Sequence, residues 1–215
     1  MSTRIARIER ASPRSADAIV TLEDGRALAL LRDTVAACAL RKGDDFPPEV
    51  EARALAIDQR DRCRLAAWRS IARGPVAVEQ LRRKLLQKEF AAPLVDETLA
   101  RLRDAGHLDD AAFSQALARK RTKHNRRGPR AIAQELLQAG VARDTAAEAL
   151  APHRQPESQH DAAMAALRRW TGARRHTDPA RRRKAAADFL LRRGFDGSIV
   201  WDVVREWAKG APADD

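Results

Sequence analysis

The most suggestive acidic pair in the chain is Asp109-Asp110, within Leu108-Asp109-Asp110-Ala111-Ala112-Phe113, with His107 just ahead of it. Two carboxylates near an imidazole are the raw material of a metal-dependent nuclease. Consecutive helical residues, however, point about 100° apart, so the two carboxylates do not converge easily on one ion. Helix electrostatics gives them another task. Asp109 suits an N-cap, accepting backbone N–H groups, and Asp110 places negative charge in the first turn. The other histidines, His124, His153, His160 and His176, show no ligand spacing, and neither do Cys38 and Cys63, which read as thiols of a reducing cytosol. No glycine-rich loop is present to cradle phosphates. The expectation is a non-enzymatic protein without metal or cofactor.

The basic runs carry more information. Arg119-Lys120-Arg121-Thr122-Lys123-His124-Asn125-Arg126-Arg127 precedes Gly128-Pro129-Arg130, and in a helix Arg119, Lys123 and Arg126 fall roughly on one side. Cations at a helix C-terminus also oppose its partial negative charge. A second run, Arg181-Arg182-Arg183-Lys184, follows Arg174-Arg175 and opens a helix, where the dipole favours acids instead. A charge pattern that local stability disfavours points to a partner. Over the whole chain, 41 Lys and Arg face 30 Asp and Glu, a net charge of +11, which directs attention to a polyanion and to nucleic acid first. Trp68, Trp170, Trp201 and Trp207 could stack on bases, but Trp68 and Trp170 fit apolar helical stripes and read as core.

These residues must be positioned by helices. Aromatic residues make up 4% of the chain and Tyr is absent, so Leu, Ala, Val and Ile fill the core, a palette suited to helix packing. The first 46 residues differ: Ala18–Leu22 and Arg26–Leu30 flank Glu23-Asp24-Gly25, a hairpin signal, and Ile5 and Ile8 offer a third strand. A helical turn near Val35, Cys38 and Leu40 ends at Gly43. Pro47-Pro48 then breaks the chain, and Glu49 and Glu51 suit a helix start. From residue 49 the apolar period is helical, with stripes at Leu65, Trp68, Ile71 and Ala72, at Phe113, Ala116 and Leu117, and at Met164, Leu167 and Trp170. A longer connection is expected over Ala151–Glu157, with Ser158 and Asp161 as a capping box. No long apolar segment predicts a signal peptide or membrane span, so the expected location is the cytoplasm.

A repeat runs through the helical part. Leu85-Leu86-Gln87-Lys88-Glu89-Phe90 returns as Leu136-Leu137-Gln138-Ala139-Gly140-Val141 and as Leu190-Leu191-Arg192-Arg193-Gly194-Phe195. Leu81, Ile132 and Ala186 lie eight residues before the Glu or Gly. Val95 and Leu99 match Ala146 and Leu150, then Val200 and Val204, and Pro75, Pro129 and Pro179 stand where each middle helix should begin. Gly in the turn suits a left-handed C-terminal residue; Glu89 breaks the pattern, because a non-Gly residue in that conformation costs about 1 kcal/mol, so either that turn differs or the strain is tolerated. The expected fold is mainly α: three tandem three-helix repeats (49–106, 107–152 and 158–208) in an elongated curved array, behind a small β-rich module over 1–46 and ahead of a disordered tail over 209–215.

Leu108-Asp109-Asp110 with Phe113, then Gly128-Pro129 through Ile132, Glu135 and Leu136 to Gly140-Val141, resemble the centre of the RecX regulatory family. Glu79–Lys88 is similar to the corresponding upstream helix, and the likeness covers roughly residues 50–208. Two positions depart from the family pattern: Val78 stands where a small hydroxyl residue is usual, and Glu89 replaces Gly. The resemblance implies a protein that binds the RecA recombinase filament, lies in its groove and restrains ATP hydrolysis, strand exchange and co-protease activity. Such a protein serves DNA recombination, repair and the SOS response. On this reading Arg119, Lys120, Arg121, Lys123, Arg126, Arg127, Arg130, Arg181, Arg182, Arg183 and Lys184 approach DNA or filament. Binding to naked single- or double-stranded DNA is weak and salt-sensitive. The absence of heptads fits a monomer. The competing reading is an autonomous helix-turn-helix protein with a recognition helix in the major groove, which predicts sequence-selective duplex binding.

Overall fold

Alternation of apolar and polar residues builds the N-terminal part as an antiparallel sheet of β1 (Thr3–Arg10), β2 (Asp17–Leu22), β3 (Ala27–Leu31) and β4 (Asp45–Phe46), in the order β3-β2-β1-β4. The computed structural model describes residues 3–170 and 178–210. Arg174, Arg175, His176 and the tail beyond Gly210 lie outside the described residues, and the last helix continues through Gly210. In β2, Ala18, Val20 and Leu22 face inward while their neighbours are half-buried. Val20 pairs with Ile8 on one side and Leu28 on the other, and Gly25 takes the left-handed conformation at φ 87° in the β2–β3 turn. The Asp-Gly hairpin and the third strand stand as the sequence predicts. The short β4, pairing Phe46 with Thr3, has too little pattern to be seen in sequence. The helical turn expected near Val35–Leu40 starts earlier, as α1 (Arg32–Ala37) directly after β3.

The sheet packs Ile5, Val20, Leu22, Leu30 and Phe46 against Ala54 of α2 (Pro48–Ile71), which opens with proline at its start and Glu49 and Glu51 in its first turn. Its buried positions are Ala54, Asp58, Cys63 and Ala67. Trp68, expected in the core, is instead 38% exposed. The buried apolar positions of this helix are its small residues and not its large ones. Asp58 is the polar member of the buried set. It accepts the Leu31 N–H at 2.6 Å and the Arg62 guanidinium at 2.5 Å, and Arg62 also reaches Asp17 at 2.7 Å.

The remaining helices are α3 (Val78–Leu86), α4 (Ala92–Asp104), α5 (Asp110–Lys123), α6 (Pro129–Ala139), α7 (Arg143–Leu150), α8 (Pro156–Arg168), α9 (Pro179–Arg192) and α10 (Gly197–Gly210). Helices α5, α6 and α7 pack on one another around Phe113, Ile132, Leu136 and Leu150, and α8, α9 and α10 do so around Leu167, Leu190, Phe195 and Val203. The stretch expected as a loop over 151–157 holds a 3₁₀ turn at Ala151–Arg154, and α8 already starts at Pro156. Ser158 therefore lies inside the helix and caps nothing: Pro156, with its preset φ, opens α8 two residues earlier.

By backbone proximity the chain forms two compact units, and the boundary cuts α3: the described residues to Gly74 join Leu81–Ala105, while Pro75–Gln80 join the residues from Gly106 onward. Hydrogen bonding explains why the start of α3 belongs to the second unit. Its Val78 N–H donates to Asp110 Oδ1 at 2.9 Å. One repeat later the N-terminus of α6 is met by the turn after α9. Gly128 N–H donates to Arg193 O at 2.8 Å, and Arg130 N–H to Gly194 O at 3.1 Å.

The three repeat turns share the left-handed conformation, at φ 65° for Glu89, 92° for Gly140 and 84° for Gly194. Only two of them need glycine for space. A Cβ on Gly140 would lie 2.4 Å from Glu79 Cβ, and one on Gly194 would lie 2.3 Å from Ala131 N, whereas Glu89 is exposed. Glu89→Gly is accordingly expected to stabilise the protein by about 0.5–1 kcal/mol by relieving strain. Gly194→Ala should cost about 3 kcal/mol through strain plus overpacking. Opposite shifts of the urea midpoint check the pair, and equal small effects would refute it. Asp58→Ala should cost about 2–4 kcal/mol, because it orphans a buried N–H and half-strips Arg62, again read in urea.

Candidate nucleic-acid interface

The end of α5 presents Arg119, Lys120 and Lys123 to solvent, and none of the three makes an ion pair among the described residues. Spacing of i and i+4 puts Arg119 and Lys123 on one side of the helix. Arg119 also faces His153, whose imidazole is held below its ordinary value by burial and then by this cation. Asp109 caps the other end of α5 through the N–H groups of Ala111 and Ala112, at 2.8 and 2.9 Å. Asp110 serves Val78, so the two carboxylates act on different backbones. Among the described residues no group of three metal-ligating side chains occurs. Nor is any helix long and apolar enough to cross a membrane.

Arg121 turns inward. Its guanidinium binds both carboxylate oxygens of Glu135 on α6, with Nε at 2.9 and 2.8 Å and a further short contact from Nη2 to Oε1. Hydrogen bonding to Arg121 holds the Glu135 carboxyl below its usual range against the opposing effect of burial, and raises Arg121 in turn. Arg127 adds a longer contact to Glu135 at 3.7 Å, and Arg130 pairs with Asp196 at 2.6 Å. The pairs at Arg121 and Arg130 fasten α5 to α6 and α6 to the start of α10.

The loop between α5 and α6 is set by a residue that the basic-run pattern does not single out. Arg193, just beyond α9, donates through Nη1 to Asn125 O at 2.6 Å and Arg126 O at 3.2 Å, and lies over the Phe189 ring at 4.7 Å. Burial, then Arg127 and Arg126, pull its guanidinium below the ordinary value. Arg126 itself is forced to φ 49°, and Gly128 admits no side chain because a Cβ there would sit 2.3 Å from Gly194 C. The loop is thereby clamped with Arg126, Arg127 and Arg193 in one neighbourhood. The alignment of Arg193-Gly194 with Ala139-Gly140 is the only sequence signal that marks the spot.

The second basic run does not join this cluster. Arg181, Arg183 and Lys184 are exposed near the N-terminus of α9, about 16 Å along the helix from its Arg193 end. Asp178 caps that N-terminus through Ala180 and Arg181 N–H, and its carboxylate lies 3.7 Å from Arg181. This local acid offsets the unfavourable dipole. Arg182 lies over the Trp207 ring at 5.9 Å. Trp170 stacks on Phe189 at 5.3 Å and meets Trp207 at 6.1 Å, so both serve the last repeat, while Trp201 is 53% exposed.

Comparison with known proteins agrees with this architecture. Residues 109–150 match the family model described as RecX, second three-helix domain, and residues 157–204 match RecX, third three-helix domain. A regulatory protein RecX of Deinococcus radiodurans is 32% identical over 158 residues, 74% of this chain and 74% of that protein. One from Thermus thermophilus is 33% identical over 67% of this chain and 93% of its own. Among solved structures, a crystal structure of regulatory protein RecX aligns with TM-score 0.65 at 22% identity, covering 95% of this chain and 99% of that one. RecX from Lactobacillus salivarius aligns with TM-score 0.62 at 17% identity, over 70% and 97% of the two chains. These two likenesses concern the fold.

Glu135→Gln should destabilise the protein by about 1 kcal/mol at neutral pH through loss of the charged, two-pronged contact. Because the folded-state carboxyl titrates below its unfolded value, the wild-type advantage is complete above that unfolded value. It fades as pH falls through the lowered folded one. Urea unfolding of both proteins across the acidic range checks this, and a difference that persists at the acid end would contradict it.

Proposed function

The chain belongs to the RecX family, and we propose that it binds the RecA recombinase filament on DNA and restrains its ATPase, strand-exchange and co-protease activities. Family membership carries the reading; the exposed cations Arg119, Lys120 and Lys123 support it, since a surface without paired acids is suited to a phosphate-lined partner. In this proposal the protein is a non-enzymatic cytoplasmic monomer. It bridges neighbouring recombinase subunits and hinders subunit addition or loosens subunit contacts. The two basic runs have unequal parts. Arg119, Lys120 and Lys123 approach DNA directly. Arg121 and Arg130 hold the helices that present them, and Arg126 and Arg127 border the loop. Arg181, Arg183 and Lys184 form a second point of approach.

Contacts of this kind are dominated by counterion release, so association with the filament falls steeply with salt, and naked DNA binds weakly and with little base preference. The test is RecA ATPase on single-stranded DNA, titrated with protein at two salt concentrations. Combined Arg119→Ala, Lys120→Ala and Lys123→Ala should raise the half-inhibitory concentration about tenfold and flatten the salt dependence. Unchanged inhibition by this folded variant would remove the first run from the mechanism. No inhibition by the wild-type protein would end the proposal.

A further inference from the structure

Beside the clamped loop, within the second compact unit, lies an open cleft of about 660 Å³ between the α5–α6 loop, α6 and the C-terminal end of α9. Its cationic lining is Arg127, Arg192 and Arg193, and its acid is Glu135. That acid is bound by Arg121 from outside the lining and reached by Arg127 only at 3.7 Å, so one shared carboxylate faces three lining guanidinium groups and leaves them an excess of positive charge. Gathering them costs Coulomb energy that a bound anion would recover. The arrangement is fixed, since Arg193 spends its Nη1 on two loop carbonyls and Arg126 is held at positive φ. Like charges drawn together by a strained, clamped loop are a feature that stability alone disfavours.

The rest of the lining selects among anions. Asn125, Gln134 and Gln138 bring side-chain amides to the same space, each able to donate and accept. Guanidinium forks match phosphate oxygens, and amides match the hydrogen-bonding edge of a base that has left its stack. The volume falls within the ~300–1,000 Å³ of small-molecule sites, which suits one nucleotide and not the width of a duplex. We infer that this cleft is a single-nucleotide site, holding the phosphodiester of an unpaired nucleotide on Arg127 and Arg192 and its base edge on Gln134 and Asn125. Arg193 adds charge and fixes the loop. The inference rests on the reading that the protein works at DNA, and it adds a preference for single strands that the exposed α5 cations do not supply.

The test uses the full chain without recombinase, so its failure leaves filament inhibition untouched, and loss of inhibition leaves this result untouched. Fluorescence anisotropy measures binding of a labelled oligothymidylate and of a duplex of equal length. Arg192→Ala and Gln134→Leu should each weaken single-strand binding about fivefold while leaving duplex binding within about twofold. Arg192→Lys should recover part of the loss, which a collapsed fold would not do. Arg143→Ala, at the start of α7 and outside the cleft, serves as the charge control and should change both affinities little. Equal losses on single strand and duplex, or the same loss in the control, would make the cleft one part of a diffuse field and overturn the site. Free adenosine monophosphate displacing the oligomer as well as an equal concentration of oligomer nucleotides would assign the cleft to a soluble nucleotide and likewise overturn it.

Discussion

A helix begins with N–H groups that have no partner in their own backbone, and the three middle helices of this chain meet that demand differently. In α3, Val78 N–H is taken by Asp110 from the helix that opens the next repeat. In α6, preceded by Gly128 and without a side-chain cap, Gly128 and Arg130 N–H are taken by the carbonyls of Arg193 and Gly194. In α9 the cap is local, from Asp178. The first two solutions make each repeat depend on its successor. A backbone that must donate to the next repeat fixes where that repeat begins, and at Gly128 and Gly194 it also removes the room for a side chain.

This dependence governs the charged surface as well. The turn that satisfies α6 carries Arg193, and Arg193 draws the α5–α6 loop onto itself through the carbonyls of Asn125 and Arg126. Positive charge is therefore concentrated there mainly by backbone bonding, with Arg127 reaching an acid, Glu135, only at 3.7 Å. Several acids are committed to particular arginines: Glu135 to Arg121, Asp196 to Arg130, Asp58 to Arg62. A net charge of +11 thus resolves into cations that build the fold and cations that remain outward. Within the first run the division falls between Arg121 on one side and Arg119, Lys120 and Lys123 on the other. Neutralising the run wholesale would mix a packing defect with a binding defect.

The same distinction separates the three left-handed turns. All share one φ region, yet glycine at 140 and 194 answers a steric demand from Glu79 and Ala131, while Glu89 answers to backbone conformation alone. Glutamate at that position departs from the repeat and keeps its turn conformation, with its side chain exposed.

Composition and periodicity by themselves determined the helical character, the antiparallel sheet before it, the repeated Leu-Leu turns and the cap at Asp109, because each depends on contacts within a few residues or on a regular alternation. The apolar stripe of α2 points to Trp68 as core, whereas the buried apolar positions are Ala54, Cys63 and Ala67, small residues that give a weak periodic signal. Ser158 fits a cap by spacing alone, but Pro156 opens the helix before it. Tertiary structure alone decided which arginines are struts, that Asp110 serves a distant backbone, and that Arg193 meets Asn125 across 68 positions of sequence. The physical reason is that charge and hydrogen bonding act through space: a guanidinium reads the same in sequence whether a carboxylate, a carbonyl or water lies at its end.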